Sequence, residues 1–243
     1  MKKVLKFIFL ILVSSIFIVS GFAGENDMES SVKEIEMFVY NVENHFENLY
    51  SILNVMSKTH EIKSADWDTM KGFFESVQSD NENILFWFSN PDGSYYTVER
   101  GLTGVSLAQR AYFPSLLEGN EVYCDVVVGL TSKKVSSVIA IPVYVEDELV
   151  GIVGGSYFVE SIKEFINGFY FKDVDVSYLI TDYEGNLVMK HNVSELAEKN
   201  LTRMMGQMEY GIYPFSDVKK GDYQYLFGPS PNTGWKYALG FKK

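Results

Sequence analysis

The sequence predicts an α+β fold in which one long N-terminal helix precedes two lobes, each built on an antiparallel sheet. Three observations predict it. Apolar residues from Ile35 to Met56 recur at steps of three and four. After Ile84 the pattern changes from helical to extended, with runs rich in β-branched and aromatic residues bounded by turn residues. Finally, "LFWFSNPDGSYYTV" (85–98) can be laid loosely over "VSYLITDYEGNLVM" (176–189), each a strand, an acidic turn with a glycine, and a return strand.

The elements follow in order. Lys2, Lys3 and Lys6 precede an almost wholly apolar run, and Gly21-Phe22-Ala23 fits a small-x-small cleavage site, so residues 1–23 read as an export signal. An uncleaved anchor is the alternative reading, since residues 7–23 sit at the short edge of what can span a bilayer. Residues 28–58 form the long helix, of about eight turns, with Ile35, Phe38, Val42, Phe46, Leu49, Leu53 and Met56 on one stripe. Such a stripe covers a sheet or pairs with a copy of itself as a homodimer seam, although His45 and Tyr50 interrupt a strict heptad. A second helix is expected over 64–79. The segments 84–89 and 94–99 flank the turn "NPDG", and a short helix over 107–117 ends at Gly119. Residues 122–130, 135–145 and 149–159 read as three antiparallel strands, the last two joined by the acidic hairpin Glu146-Asp147-Glu148. A helix over 159–168, another near 194–206, and strands around 211–215, 222–228 and 235–241 complete the second lobe.

Charge narrows the function classes. Without the first 23 residues the chain carries 18 basic against 32 acidic residues, a net charge of −14. Nucleic acid and anionic lipid are poor partners for such a surface. Any anion must therefore be held in a local basic pocket, which singles out Arg110, alone inside the uncharged run "GLTGVSLAQRAYFPSLL". The sole cysteine, Cys124, excludes an internal disulfide and reads as a small buried apolar residue. His45, His60 and His191 are scattered without metal-ligand spacing and read as exposed or capping residues. "GIVGGS" (151–156) lacks the Lys-Ser/Thr of a phosphate loop and reads as a close-packed hairpin. No nucleophile elbow occurs, and neither catalysis nor a cofactor is expected.

The order of "NPDG", "RAYF", "VYCDVVVGLTSKK", "VIAIPVYVEDELVGIVGGS" and "YLITDYEGNLVMKHN" resembles the double Cache sensor domain, the extracytoplasmic ligand-binding module of many chemoreceptors, histidine kinases and diguanylate cyclases. The likeness runs over residues 30–243 and is strongest from Leu85 to Tyr157. It implies a PAS-like membrane-distal ligand-binding lobe over 60–160 and a membrane-proximal one over 161–243. It also implies sensing of a small molecule in signal transduction or chemotaxis, a membrane-receptor partner, and a periplasmic or secreted location. Arg110 and Tyr112 match the family positions that hold a ligand carboxylate. The amino-acid-binding branch has an aspartate after the hairpin Gly-Gly, where this chain has Ser156, and a tyrosine where this chain has Val126. Those departures favour a small organic acid over an amino acid.

An arginine offsets carboxylate desolvation with two parallel charge-assisted hydrogen bonds. Tyr112 and Tyr123 supply hydroxyls, Thr131 and Ser132 lie where a strand end presents further donors, and Phe86, Phe88, Tyr95 and Phe113 are expected as walls. The candidate ligand-binding residues are thus Arg110, Tyr112, Tyr123, Asp125 and Ser156. The competing structural reading pairs Arg110 with Asp125 or Glu99, and makes Asp125 a loop cap or ion-pair partner. Trp67 and Trp87 read as core.

Overall fold

The computed structural model describes residues 25–170, 176–207, 215–216, 223–230 and 232–242; the export signal or anchor lies outside them. Helix α1 (Glu25–Met56) is followed by the short α2 (His60–Lys63) and α3 (Trp67–Ser79). The helix expected over 64–79 starts later, at Trp67, because Ala65 turns into the left-handed region (φ 51°) and Asp66 caps α3, its carboxylate accepting the Thr69 N–H at 3.0 Å. The first sheet comprises β1 (Ile84–Ser89), β2 (Ser94–Thr97), β3 (Gly101–Ser106), β4 (Val122–Val128), β5 (Val135–Val145) and β6 (Glu148–Phe158), with α4 (Phe113–Leu117) between β3 and β4. Helix α5 (Val159–Phe165) runs into a π-turn (Ile166–Tyr170). The second sheet holds β7 (Val176–Thr181), β8 (Leu187–His191), β9 (Phe215–Ser216), β10 (Tyr223–Pro229) and β11 (Lys236–Lys242), with α6 (Glu195–Gln207) after β8. Most of the strand expected over 211–215 lies outside the described residues.

The loose sequence repeat is a repeat of topology. The first sheet is ordered β3-β2-β1-β6-β5-β4 and the second β8-β7-β11-β10-β9, so the second reproduces the first without β3. The two repeated hairpins turn alike. Gly93 (φ 86°) donates to Asn90 O at 2.9 Å, and Gly185 (φ 93°) donates to Asp182 O at 3.1 Å. Both glycines occupy backbone that a side chain would strain. In the β5–β6 hairpin, Glu146 and Asp147 both have positive φ, the two-residue loop whose twist suits antiparallel strands.

Strand β3 has no counterpart in the sequence reading, and its residues explain why. Leu102 and Val105 are exposed at a sheet edge, with Gly101 before them and Gly104 between them, so no buried face imposes alternation. Its presence also shortens the helix expected over 107–117 to Phe113–Leu117. Residues 107–112 instead form consecutive turns, with Arg110 N–H donating to Leu107 O at 2.9 Å and Phe113 N–H to Arg110 O at 3.0 Å.

The α1 stripe is consumed within the chain. All seven residues from Ile35 to Met56 are at most 2% exposed. Phe38 packs against Tyr178 and Tyr237 of the second sheet, with ring centroids 5.6 and 6.1 Å away. Phe46 meets Tyr157 of β6 and Trp235 beside β11, at 6.4 and 4.9 Å. Leu49 lies over Gly155, where a Cβ would come within 2.6 Å of it. The stripe therefore covers both sheets and cannot also serve as a coiled-coil seam. One buried cluster joins α1 to residues of both sheets.

Phe46→Ala is expected to remove about 3–5 kcal/mol of stability while leaving a single cooperative transition. Denaturant unfolding followed by fluorescence and by circular dichroism checks this; two separated transitions in the wild type would show that α1 does not unite the sheets.

Candidate functional site

The central strands of the first sheet are covered on both faces, and strand parity sorts their side chains. Phe86 and Phe88 join the α1 core, while Trp87 joins a second cluster with Tyr95, Leu107, Tyr112, Phe113, Leu116, Val122, Val138, Ala140 and Ile152. Phe86 and Phe88, expected as pocket walls, thus face α1, on the side away from α4; Trp87, read as generic core, lies on the face beneath α4. The glycines of "GIVGGS" serve this double packing. Phe88 stands over Gly151 and Leu49 over Gly155 on the α1 side, and Trp87 stands over Gly154 on the other, each closer than a Cβ would allow. The segment, read as a close-packed hairpin, is the middle of β6, the return strand of the β5–β6 hairpin.

Arg110 reaches this second face from the turns before α4. Gly93 makes the approach feasible: Leu107 N–H donates to Gly93 O at 2.8 Å, and a Cβ on Gly93 would meet Ala108 N at 2.6 Å. Phe113 and Leu116 then anchor α4, with Pro114 in its first turn, where no amide donor is needed. The Arg110 guanidinium is partly buried. Its Nη2 donates to the carbonyl of Val128 at the end of β4, at 2.5 Å, and its Nε is buried without a partner. Among the described residues no carboxylate lies within salt-bridge distance of it, so the expected pairing with Asp125 or Glu99 is not formed.

Tyr112 is 7% exposed, and burial pushes its phenol up to about 12 against the opposing pull of the Arg110 charge. It therefore stays a neutral hydroxyl near neutral pH. Its surroundings also include Tyr95 and Asp125. Asp125 and Ser156 are cross-strand neighbours of Val138, a residue of the same cluster, and so share its face. Asp125 is half-buried, and its carboxyl is raised by burial first and then by Glu184 and Asp182 of the β7–β8 turn. Ser156 Oγ accepts the Trp87 indole N–H at 3.1 Å, which holds the ring flat over Gly154.

Tyr123 is not part of this group. A bulge between Tyr123 and Asp125, with Cys124 at φ 65°, keeps Tyr123 on the α1 face, where its ring packs on Tyr50 and its hydroxyl donates to Glu47 at 3.0 Å. Thr131 and Ser132 lie in the β4–β5 turn, where the Ser132 hydroxyl accepts the Lys134 N–H. His45, expected to be exposed or capping, is half-buried instead: its Nδ1 lies 3.0 Å from Tyr157 OH and its ring packs on Phe165. His191 stacks on Tyr178. The structure thus brings Arg110, Tyr112, Asp125 and Ser156 to one face and adds Trp87, Tyr95 and the Val128 carbonyl. Trp87 was detectable in principle, because it alternates with Phe86 and Phe88 opposite a Gly-rich strand; a main-chain acceptor leaves no sequence signal.

The equivalent face of the second sheet is filled. Ala197, Leu201 and Met205 of α6 pack onto Leu179, Tyr225, Phe227 and Ala238. The helix laid over this face of the first sheet, α4, has five residues, and α6 over the second has thirteen.

No protein-family model and no curated protein matches the sequence. Solved structures do match. The sensor domain of the Vibrio cholerae histidine kinase DctB aligns with a TM-score of 0.65 at 17% identity, over 90% of this chain and 98% of that one. The ligand-binding domain of the Campylobacter jejuni chemoreceptor Tlp3, in complex with 4-methylisoleucine, aligns with a TM-score of 0.66 at 6% identity, over 90% and 91%. A domain of a Vibrio parahaemolyticus sensory box/GGDEF family protein aligns at 0.65 and 11% identity, over 90% and 97%. At such identities the likeness is one of fold: the chain has the double Cache fold, an α+β arrangement of two PAS-like lobes behind one long helix, seen in the sensor domains of histidine kinases and chemoreceptors.

Proposed function

We propose that this chain is an extracytoplasmic sensing module that binds a small carboxylate against Arg110 in the lobe of residues 60–160, and presents its occupancy to a membrane-receptor partner. The observation that carries the reading is the state of Arg110, a partly buried guanidinium with one arm on a carbonyl, a buried unpartnered Nε and no carboxylate within reach among the described residues. A buried donor left without a partner costs about 1–3 kcal/mol, and more when it belongs to a charged group. An entering carboxylate offsets that cost, and the neutral Tyr112 hydroxyl beside it adds an uncharged donor. Trp87 and Tyr95, with rings 6.4 Å apart, offer an aromatic floor.

The reading is of binding without catalysis, in keeping with the sensor and ligand-binding domains that share the fold. Export or tethering falls to residues 1–23, and among the described residues no helix is long and apolar enough to cross a membrane. The α1 stripe being buried, pairing of two copies along α1 falls to its outer face, where Met37, Tyr40 and Val55 are exposed.

A second reading rests on Asp125. Its carboxylate is half-buried on the Arg110 face with no cation within salt-bridge distance among the described residues. It supplies the ammonium partner that Ser156 does not, and so favours an amino acid.

Thermal-shift and calorimetric titration with short organic acids and amino acids separates the two. Under the first reading an organic acid stabilises the protein, Arg110→Ala weakens its binding by at least about 30-fold, the low end for truncating a buried charge partner, and Asp125→Asn leaves it unchanged. Under the second, an amino acid is the stabilising compound and Asp125→Asn abolishes its binding. Arg110→Lys is expected to recover only part of the affinity, because a single ammonium cannot form the paired hydrogen bonds. Stabilisation by no compound, with Arg110→Ala as stable as wild type, would sink both.

A further inference from the structure

A second polar group stands apart from the Arg110 face, at the junction of α1, β4 and the β10–β11 turn. Glu43 lies on α1 beside the buried stripe and is only 7% exposed. Both carboxylate oxygens are held by the turn: Asn232 Nδ2 donates to Oε2 at 3.3 Å and Thr233 Oγ1 to Oε1 at 3.4 Å. The Thr233 hydroxyl in turn accepts the Trp235 N–H at 3.1 Å, and the Trp235 indole donates to Cys124 O of β4 at 3.3 Å while its ring packs on Phe46. One helical turn on, Glu47 accepts from Tyr123 of β4. A short chain of hydrogen bonds therefore ties α1 to an edge strand of the first sheet and to a turn of the second.

What this junction lacks is a positive charge. The titratable groups around Glu43 are Glu47 on its own helix, Tyr123 and Cys124 on β4, and the fully buried Tyr237 on β11, whose hydroxyl lies against Thr233. Among the described residues no lysine, arginine or histidine lies within salt-bridge distance of Glu43. A buried carboxylate with only neutral donors and a like charge one turn away is held at a cost that its protonated form does not bear. Burial, reinforced by Glu47 and opposed by the hydrogen bonds from Thr233 and Asn232, raises the Glu43 carboxyl to about 7. The closed junction thus binds this proton more tightly than an opened, hydrated one. Its stability is greatest below the ordinary carboxylate value of 4.5 and falls as pH rises from there to about 7.

We propose that Glu43 is a proton-operated latch between α1 and the β10–β11 turn, closed when the carboxyl is neutral and loosened when it ionises, so that ambient acidity sets how firmly the second sheet is tied to the helix. The latch is separate from the Arg110 site and requires no ligand there.

Amide hydrogen exchange of residues 230–236 in the full chain, corrected for intrinsic rate, tests this between about pH 5.5 and about pH 8.5. The wild type is expected to show at least about a tenfold rise in local opening across that range, the equivalent of one unit of differential proton affinity. Glu43→Gln, which imitates the neutral acid, is expected to stay throughout at least as protected as the wild type is at the acid end. His45→Gln is expected to keep the wild-type profile, and residues 84–89 to show no change in any variant. A flat wild-type profile, or a rise of the same size in Glu43→Gln, would overturn the proposal; the wild-type arm decides even where a variant fails to fold.

Discussion

The burial of one helical stripe against two sheets at once is the constraint on which the rest of the structure depends. Neither sheet covers the face it presents to α1 by itself, and α1 alone would expose seven large apolar side chains. By area alone each such side chain contributes about 1.5–3 kcal/mol when buried. Because Phe46 touches aromatic residues of both sheets, the helix is the shared core of the two lobes. This arrangement is what sets the β4 edge of the first sheet against the β10–β11 turn of the second, where Trp235 donates to Cys124 O.

Packing on one face of the first sheet also dictates what the other face can do. Gly151 and Gly155 let Phe88 and Leu49 approach on the helix side, and Gly154 lets Trp87 lie flat on the other. With α4 reduced to five residues by β3 and the turns that follow it, Arg110 is delivered to the rim of the aromatic cluster and satisfies only part of its donor set within the chain. In the second sheet a longer helix covers the same face with methionine and aliphatic side chains. Duplicate topologies thus differ in the segment laid over this face, which in the first sheet brings Arg110 to the edge of the cluster.

Electrostatics adds a contrast. The chain carries a net charge of −11, and the charged groups at the centre of the two arrangements described above differ in sign. Arg110 is a cation without an anion among the described residues, and Glu43 is an anion without a cation. Each is costly as it stands, and each is relieved by a different species, an anionic ligand in one case and a proton in the other.

The sequence by itself determined the elements whose signal is a buried periodicity. The seven-residue stripe of α1, the β4–β5–β6 meander and the repeated hairpins at Gly93 and Gly185 were legible because burial on one face forces apolar residues to recur at the period of the backbone. Arg110 and Tyr112 were legible as candidates because a lone cation in an uncharged, aromatic run of an acidic chain is conspicuous. What only the tertiary structure decided is which way things face. Strand parity leaves the choice of face open, so Phe86 and Phe88 were assigned to the side that Trp87 occupies. A one-residue bulge at Cys124 moves Tyr123 to the helix face, an offset that no local pattern announces. The edge strand β3, with no buried face, carries no periodicity at all. The pairing of Glu43 with Asn232 and Thr233 spans about 190 residues of chain, and so depends wholly on how the helix is laid across the two sheets.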